Sequence, residues 1–460
     1  MTDYRITHDT LGEVKVPKDA YYGAQTQRAV ENFPISGLHL PPAFIRAQGI
    51  IKWAAAKANM ELGQLSEEVG QAIMQAADEV IEGKLNGEFV VDAFQAGAGT
   101  SQNMNANEVI ATRAVEILGK EKGDYSLVHP NDHVNMAQST NDTIHVAINI
   151  AAAELLDELL MPNFEQLCQT FEKKAEEFHG IIKSGRTHLQ DAVPMRLGQE
   201  FGGYAATLRE KYNHLLRTRE SLLEIGLGGN AVGTGINAHP EYAQRAIRYI
   251  AERTGREFKP ATHRFMFMQN TQAAIRVSEA LKEVAIHLIK ITSDLRLLSS
   301  GPRTGLAEIV LPAVQPGSSI MPGKVNPVML EMMYMICAQV IGNSETITIA
   351  GLGSQLEINV MMPVIAHNLL QSIQILANGM RTMDERNIRG ITADEGRCRE
   401  LMERSLALAT SLNPLIGYEK AAAIAKEAHR TNKSIAEVAR EQGGISEQEL
   451  ADALNPERLV

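Results

Sequence analysis

The sequence has few cysteines and no long apolar run. Cys168, Cys337 and Cys398 are isolated and odd in number, so neither a disulfide framework nor a zinc cluster is predicted. No stretch is apolar for long enough to span a bilayer, and Met1–Thr10 is polar, without the apolar run of a signal peptide. We therefore expect a cytoplasmic protein with reduced thiols and no membrane contact.

Basic residues are also fewer than acidic ones. Lys and Arg total 44 against 55 Asp and Glu, which gives a formal net charge of −11. Nucleic acid needs a concentrated basic surface, so it is not expected as a partner. A small anionic substrate stays compatible with this charge, because a local pocket can be positive on an acidic protein.

Apolar side chains recur at intervals of three and four residues from Asn141 onward, the spacing of helix faces. Such runs begin at Ile144, Leu197, Val277, Val328 and Val360. Long helices joined by short polar loops make a bundle, so we expect a mainly α fold. Several faces are too wide and too apolar for one monomer to cover, which predicts a homo-oligomer.

The pattern along the chain predicts three domains. Residues 1–140 mix short extended pieces, such as the alternating Gly12–Pro17, with helices. Residues 141–388 form the long-helix bundle, in which Pro162 bends or restarts a helix. In residues 389–460, Gly, Asn and Pro interrupt short helices, which predicts a small C-terminal helical domain.

The segment Gly317–Asn326 is the most informative part of the chain. Its anion-binding groups are two hydroxyls, a cation and a carboxamide, namely Ser318, Ser319, Lys324 and Asn326. Glycine and proline at its ends can act as hinges, so the loop can close over a substrate; the alternative is a solvated turn. It is not a phosphate-binding P-loop, because five residues separate its glycines and Val325 follows the lysine.

Three more polar clusters interrupt the helical pattern, at Gly97–Glu108, His129–Asp142 and Gly185–Pro194. Each one alone is compatible with a helix cap. Together with the loop they supply short hydroxyl and amide donors and the titratable His188. That inventory suits a small, multiply anionic molecule.

Two further patterns do not predict sites. Gly226–Ala231 matches the letters of a dinucleotide fingerprint, but the preceding Arg217–Ile225 is helical in pattern, whereas the fingerprint requires a strand. His133, His145 and His239 lack the spacing of metal ligands and are interpreted as structural or surface residues. We therefore expect neither a metal nor a cofactor.

The four clusters, in this order and spacing, resemble the fumarase/aspartase superfamily over essentially the whole chain. Its signature is similar to the Gly-Ser-Ser-Ile-Met-Pro-Gly-Lys-Val-Asn run at 317–326. The resemblance implies a homotetramer with a shared central helix bundle and active sites built from three subunits. It also implies reversible β-elimination from a succinyl-type substrate, giving fumarate.

Short sequence segments indicate which substrate the protein uses. Gly97–Ser101, Ser139–Asn141 and His188–Pro194 resemble aspartases, whereas Cys337–Asn343 resembles fumarases. The resemblance thus favours deamination of L-aspartate, with L-malate or an N-substituted aspartate as alternative substrates. A catalytically silent structural homologue is a further alternative, which the intact signature residues argue against.

Some positions depart from the superfamily pattern. The segment Thr143–Val146 stands where a Pro-Thr pair is usual, and Leu330, Tyr334 and Met362 replace residues that are commonly proline, polar or acidic. These departures bear on the amino substrate more than on the reaction type.

Residue roles are carried over from the resemblance. The donors around the carboxylate that gains charge are Thr100, Ser139, Thr140 and Ser319. The groups around the leaving amino group are Asn141, Thr187 and His188. Lys324 and Asn326 hold the other carboxylate, and Gly99, Ser101 and Met321 complete the substrate-binding set.

Two residues are candidates for the base. The resemblance assigns this role to Ser318, whose hydroxyl must be activated by its surroundings because it is a very weak acid. The alternative is His188, paired with Glu331, because an imidazole titrates in the useful range. His129, Asn131 and Asp132 match a second dicarboxylate site described in fumarases, but a surface turn is the preferred interpretation of these residues.

Overall fold

The computed structural model describes residues 3–442 and 444–460, and the chain is mainly helical, as predicted. The α-helices are α1 (Ala24–Asn32), α2 (Pro42–Glu61), α3 (Glu67–Ile81), α4 (Thr100–Ile117), α5 (Thr140–Leu155), α6 (Met161–Glu177), α7 (Leu197–Arg219), α8 (Tyr242–Thr254), α9 (Arg264–Gln269), α10 (Gln272–Leu298), α11 (Val328–Gly351), α12 (Met362–Arg386), α13 (Glu395–Glu403), α14 (Asn413–Ile416), α15 (Tyr418–Thr431), α16 (Ile435–Gln442) and α17 (Glu447–Ala453).

The strands are short and, within the described residues, pair only in twos. They are β1 (Tyr4–Asp9), β2 (Gly12–Pro17), β3 (Ile182–Thr187), β4 (Gln190–Arg196), β5 (Glu224–Ile225), β6 (Lys259–Pro260), β7 (Ile309–Val310), β8 (Ser354–Gln355), β9 (Ile358–Asn359) and β10 (Thr392–Ala393). The pairs are β1–β2, β3–β4, β5–β6, β7–β10 and β8–β9.

The predicted apolar runs correspond to helices α5, α7, α10, α11 and α12, so the spacing predicted these elements correctly. Pro162 also acts as predicted. The chain passes through a π-helical turn at Leu156–Leu160, and α6 begins at Met161. Proline is tolerated there because the first N–H groups of a helix have no partner within that helix.

The prediction for Arg217–Ile225 was wrong at its end. The helix continues to Arg219 and a 3₁₀ turn covers Glu220–Leu222, but Glu224–Ile225 is strand β5, paired in parallel with β6. The two backbones pair because the segments meet in space, which helical spacing alone does not reveal. No helix opens at the glycines that follow, since α8 begins only at Tyr242, so the nucleotide fingerprint still lacks one of its required parts.

The chain divides into two compact units. The first unit takes in the described residues up to Pro162, together with Asn213–Ala285 and Ala338–Ala377. Within it, α2 packs against α3, α5 and α8, and α3 packs against α4 around a core that includes Ile73 and Ile110. The predicted boundaries at 140 and 388 stay a prediction.

The second unit takes in Asn163–Tyr212, Ile286–Cys337 and the described residues from Asn378 to Val460. Within it, strand β3 packs against α13, and the C-terminal helices enclose a core that includes Leu412 and Ile424. Among the described residues, no helix combines the length and the apolar character needed to cross a membrane.

Candidate functional site

The signature loop, Gly317–Asn326, lies between β7 and α11, and two hydrogen bonds join its two ends, which form the neck of the loop. The Gly317 N–H donates to the Lys324 carbonyl at 2.7 Å, and Asn326 Nδ2 donates to the Gly317 carbonyl at 2.6 Å. A Cβ at Gly317 would lie 2.5 Å from the Lys324 carbonyl oxygen, so only glycine fits at the neck. Asn326 therefore shapes the loop, and its Nδ2 carries a second hydrogen that can donate.

Ser318 sits inside this loop with its oxygen facing backbone donors. Its Oγ accepts hydrogen bonds from the N–H groups of Ile320 at 3.2 Å and Met321 at 3.0 Å. Two donors on one hydroxyl oxygen favour negative charge there. Ser319, Met321 and Lys324 are exposed on the same loop. Within the described residues, no hydrogen bond joins Lys324 Nζ to Ser318.

Thr187 and His188 are presented at the tip of the β3–β4 hairpin. Thr187 pairs with Gln190, so His188 and Leu189 form a two-residue turn, with φ of 55° and 58°. Both residues are left-handed, a conformation that turns of this kind usually give to Asn or Gly. Such backbone strain is typical of functional sites. In the described part of the chain, no hydrogen bond joins His188 to Glu331, which lies in the first turn of α11.

A buried ion network anchors the base of this hairpin. Arg186, next to Thr187, binds both carboxylate oxygens of Glu308 at 3.0 Å. Lys183 Nζ contacts Glu308 at 3.0 Å and Glu200 at 2.7 Å. Because Glu308 is fully buried, the network fixes the strand that carries Thr187 and His188.

Thr100 and Ser101 begin helix α4. Gly99 before them is left-handed, with φ of 82°, and a Cβ there would lie 2.9 Å from the Ile144 side chain. The N-terminus of α4 therefore needs glycine at this position. The Gln102 N–H in this turn is capped by Gln95 Oε1 at 2.8 Å, and the helix dipole with the N–H groups that precede it favours a bound anion. At the far end of the same polar cluster, Glu108 is a structural cap, because its carboxylate accepts the N–H groups of Gly23, Gln25 and Thr26.

Ser139, Thr140 and Asn141 form the start of helix α5. Ser139 is the N-cap, and its hydroxyl and the carboxylate of Asp142 complete a capping box. Asn103 Nδ2, one turn into α4, donates to Thr140 Oγ1 at 3.3 Å. The structure thus brings two of the predicted clusters together, as the N-terminal turns of two neighbouring helices.

A residue that the sequence pattern did not single out, Lys52, joins α4 to the segment that precedes α5. Lys52 of α2 is buried, and its Nζ donates to the side-chain oxygens of Asn103, Asn135 and Gln138 at 2.9, 3.0 and 2.9 Å. Burial lowers the pKa of Lys52 to about 7, while the carboxylate of Asp142 raises it. The available signal was a lysine inside the apolar run Ile50–Ala56, a position that usually holds an apolar residue.

His129 caps a π-helical turn at Pro130–Val134, which carries Asn131 and Asp132. His129 Nδ1 accepts the N–H groups of Asn131 and Asp132, both at 3.2 Å. Asn131 and Asp132 are exposed. These contacts are those of a capped surface turn. Within the described residues, no group of three His, Cys, Asp or Glu side chains is arranged to hold a metal ion.

The sequence was compared with protein-family models and with known proteins. A model described as a lyase matches residues 12–342, and one described as the fumarase C C-terminus matches residues 408–460. An aspartate ammonia-lyase from a Bacillus species is 52% identical over 459 residues, which cover 100% of this chain and 98% of that protein. A class II fumarate hydratase from Halobacterium salinarum is 50% identical over 458 residues, which cover 100% and 97%.

Solved structures agree with these matches. The crystal structure of a class II fumarase from Schistosoma mansoni has a TM-score of 0.95 at 35% identity, and the match covers 99% of this chain and 98% of that chain. Two family models, full-length relatives and the fold all agree. The chain belongs to the lyase family that contains aspartate ammonia-lyases and class II fumarases.

Proposed function

We propose that this protein catalyses the reversible deamination of L-aspartate to fumarate and ammonia. The reaction is an anti β-elimination. A base removes a proton from the carbon beside one carboxylate, which creates a doubly charged aci-carboxylate, and the amino group then leaves. The difficult step is the first one, because the extra charge must be stabilised by donors already in place.

The observation that carries this proposal is the pair of backbone N–H groups on Ser318 Oγ. A serine hydroxyl is a useful base only where its environment favours the alkoxide. The two donors supply part of that stabilisation, and Lys324 adds a cation to the same loop. We therefore assign the proton abstraction to Ser318 and a substrate contact to His188.

The adjoining N-terminal turns of α4 and α5 support the assignment of the carboxylate site. The dipoles of the two helices give these turns a partial positive charge, which favours a bound anion. Thr100, Ser139 and Thr140 add hydroxyl donors at those turns. This arrangement suits the carboxylate that gains charge, while Lys324 and Asn326 hold the other one.

L-Aspartate is preferred as the substrate because the local sequences around Thr100, Thr140 and Gln190 resemble those of aspartases. L-Malate is the second candidate. A class II fumarate hydratase is nearly as similar to this chain as the aspartate ammonia-lyase is, and the sequence of Cys337–Asn343 resembles that of fumarases. An N-substituted aspartate has less support. Leu330 and Met362, two of the departures that suggested it, are buried core residues.

A parallel assay tests the proposal. Purified protein is offered L-aspartate, L-malate and an N-substituted aspartate, and the absorbance of fumarate is followed. We expect fumarate and ammonia from L-aspartate. Turnover of L-malate without turnover of L-aspartate would show that the protein is a fumarase, and turnover of the N-substituted compound alone would show a re-specified amine pocket.

A further inference from the structure

The carboxamide of Asn141 is held in one orientation. Its Nδ2 donates to the backbone carbonyl of Ala231 at 2.8 Å. The reversed amide would place two oxygens against each other, so the hydrogen-bond chemistry decides the assignment. Asn141 Oδ1 is therefore left facing away from Ala231, as an acceptor.

Ala231 lies in the glycine-rich segment that failed as a nucleotide fingerprint. Gly228 and Asn230 in this segment are left-handed, with φ of 86° and 56°. A Cβ at Gly228 would lie 2.5 Å from the Cβ of Ala243, so the loop is packed closely at that point. Asn230 Nδ2 donates to the Ile236 carbonyl at 2.6 Å and closes the loop on itself.

A single buried carboxylate ties this loop to the start of α5. Asp142 Oδ2 accepts the N–H groups of Gly228 at 3.0 Å and Asn230 at 2.9 Å. Its other oxygen, Oδ1, accepts the N–H of Ser139 at 2.9 Å. Asp142 is fully buried and adjoins Asn141 in the chain. The loop therefore cannot shift relative to Asn141 without breaking these bonds.

We propose that Asp142 and the segment Gly228–Ala231 form a clamp that positions the hydrogen-bond acceptor facing the leaving group. The clamp keeps the carboxamide oxygen of Asn141 available, so the site favours a leaving group that donates hydrogen bonds. Asp142 and Asn230 are positioning residues that act through Asn141. The inference rests on the proposed function, which puts Asn141 beside the leaving amino group.

The clamp makes a prediction that a general packing role does not. Of the carboxylate contacts, Thr100, Thr140 and Lys324 have no hydrogen bond to the loop among the described residues. Ser139 reaches it only through Asp142, whose bond to Ser139 does not involve the Asn230 side chain. Loosening the loop should therefore weaken the interaction with ammonia and leave the interaction with the dicarboxylate unchanged. In the amination direction, the KM for ammonium should rise while the KM for fumarate stays constant.

Asp142→Asn is a poor test, because it leaves a buried backbone N–H unpaired and failure to fold would imitate loss of function. Asn230→Gly is better. Glycine adopts the left-handed conformation freely, so the substitution removes only the hydrogen bond from Asn230 Nδ2 to the Ile236 carbonyl. Asn237→Gly is the matched control, since Asn237 is exposed and also left-handed, with φ of 62°.

In the full-length protein, Asn230→Gly should raise the KM for ammonium about tenfold, because small displacements of a positioned group are costly. The KM for fumarate and the inhibition constant of succinate should not change, and Asn237→Gly should behave as wild type. If Asn230→Gly leaves the KM for ammonium unchanged, or weakens the binding of succinate by the same factor, the proposed clamp is contradicted. If wild-type protein forms no fumarate from L-aspartate, the proposed function itself is wrong, so the two failures are distinguishable.

Discussion

Ser318 is the single residue on which the proposed chemistry depends most. Replacing it with alanine removes one oxygen from a largely exposed loop, so folding should be unaffected. We expect kcat to fall by about 10³-fold, the usual scale for loss of a general base. Binding of succinate should fall only modestly, because the base acts in the transition state.

His188→Asn is the comparison variant, because it removes the alternative base. We expect it to weaken substrate binding and to lower kcat less than Ser318→Ala does. Exchange of the proton beside the carboxylate, followed by NMR in heavy water, separates the two. Near-normal exchange in Ser318→Ala together with none in His188→Asn would assign the base to His188.

His145 predicts how the stability depends on pH. It is buried one turn after Asn141, and its Nδ1–H donates to the Asn141 carbonyl at 3.0 Å. Burial lowers its pKa from 6.5 to about 4. The unfolded chain therefore binds this proton below about pH 6.5, whereas the folded protein binds it only below about pH 4. Its neutral form stabilises the fold fully above pH 6.5, and this contribution is lost as the pH falls toward 4.

The loss on acidification should amount to about 3 kcal/mol, since one pKa unit corresponds to about 1.4 kcal/mol. His145→Asn should flatten the dependence between pH 4 and 6.5, measured as the free energy of unfolding in urea at fixed protein concentration. Burial raises the pKa of Asp142 to about 6, which gives a slope of the opposite sign, but both proteins share it. Parallel curves for wild type and variant would contradict the assignment.

At the scale of elements, the β3–β4 hairpin depends on Glu308. This carboxylate is fully buried between Arg186 and Lys183. Glu308→Gln would leave two cations without their partner, so we expect the free energy of unfolding to fall by about 3–5 kcal/mol. Activity should fall too, because the strand that presents Thr187 and His188 is then less firmly held.

Glu457→Gln is the control for this element. Glu457 pairs with Arg196 at 2.7 Å, but its side chain is 63% exposed. An exposed ion pair contributes less than about 1 kcal/mol, so the variant should resemble wild type in denaturant titrations. Equal losses from the two variants would mean that the buried network does not anchor the hairpin.

At the scale of the whole molecule, the long helices carry apolar side chains that a single chain does not cover. Ile286, Met335 and Ile349 are 48%, 66% and 63% exposed. Exposed apolar surface of this kind marks interfaces. We propose a homotetramer, which sedimentation would reveal, and an active monomer would contradict shared sites.

Shared sites have a second consequence. If His188 and Ser318 of one site come from different subunits, a mixture of inactive Ser318→Ala and impaired His188→Ala chains contains some sites with both residues intact. We expect activity to return when the two variants are unfolded and refolded together. Separately refolded samples that are mixed afterwards serve as the control. No recovery on joint refolding would place both residues in one subunit's site.

Much of this protein follows from local sequence. The spacing of apolar residues predicted the long helices, because a helix face repeats every three or four residues wherever it packs. The order and spelling of the four polar clusters indicated the lyase family. Ser318 and its loop were recognisable from the run of Gly, Ser, Pro, Lys and Asn at 317–326. The N–H groups that donate to its hydroxyl, those of Ile320 and Met321, lie in the same run.

Other features depend on residues that are distant in the chain, and these only the tertiary structure decided. The Asn141 amide is oriented by Ala231, and the cation of Lys52 is buried under oxygens from Asn103, Asn135 and Gln138. Strand β5 exists only because β6 lies beside it. No local pattern encodes such contacts, because each depends on where folding brings two separate segments together. The sequence by itself thus determined the long helices, the polar loop Gly317–Asn326 and the family, and the tertiary structure decided how the side chains behind the candidate site are held.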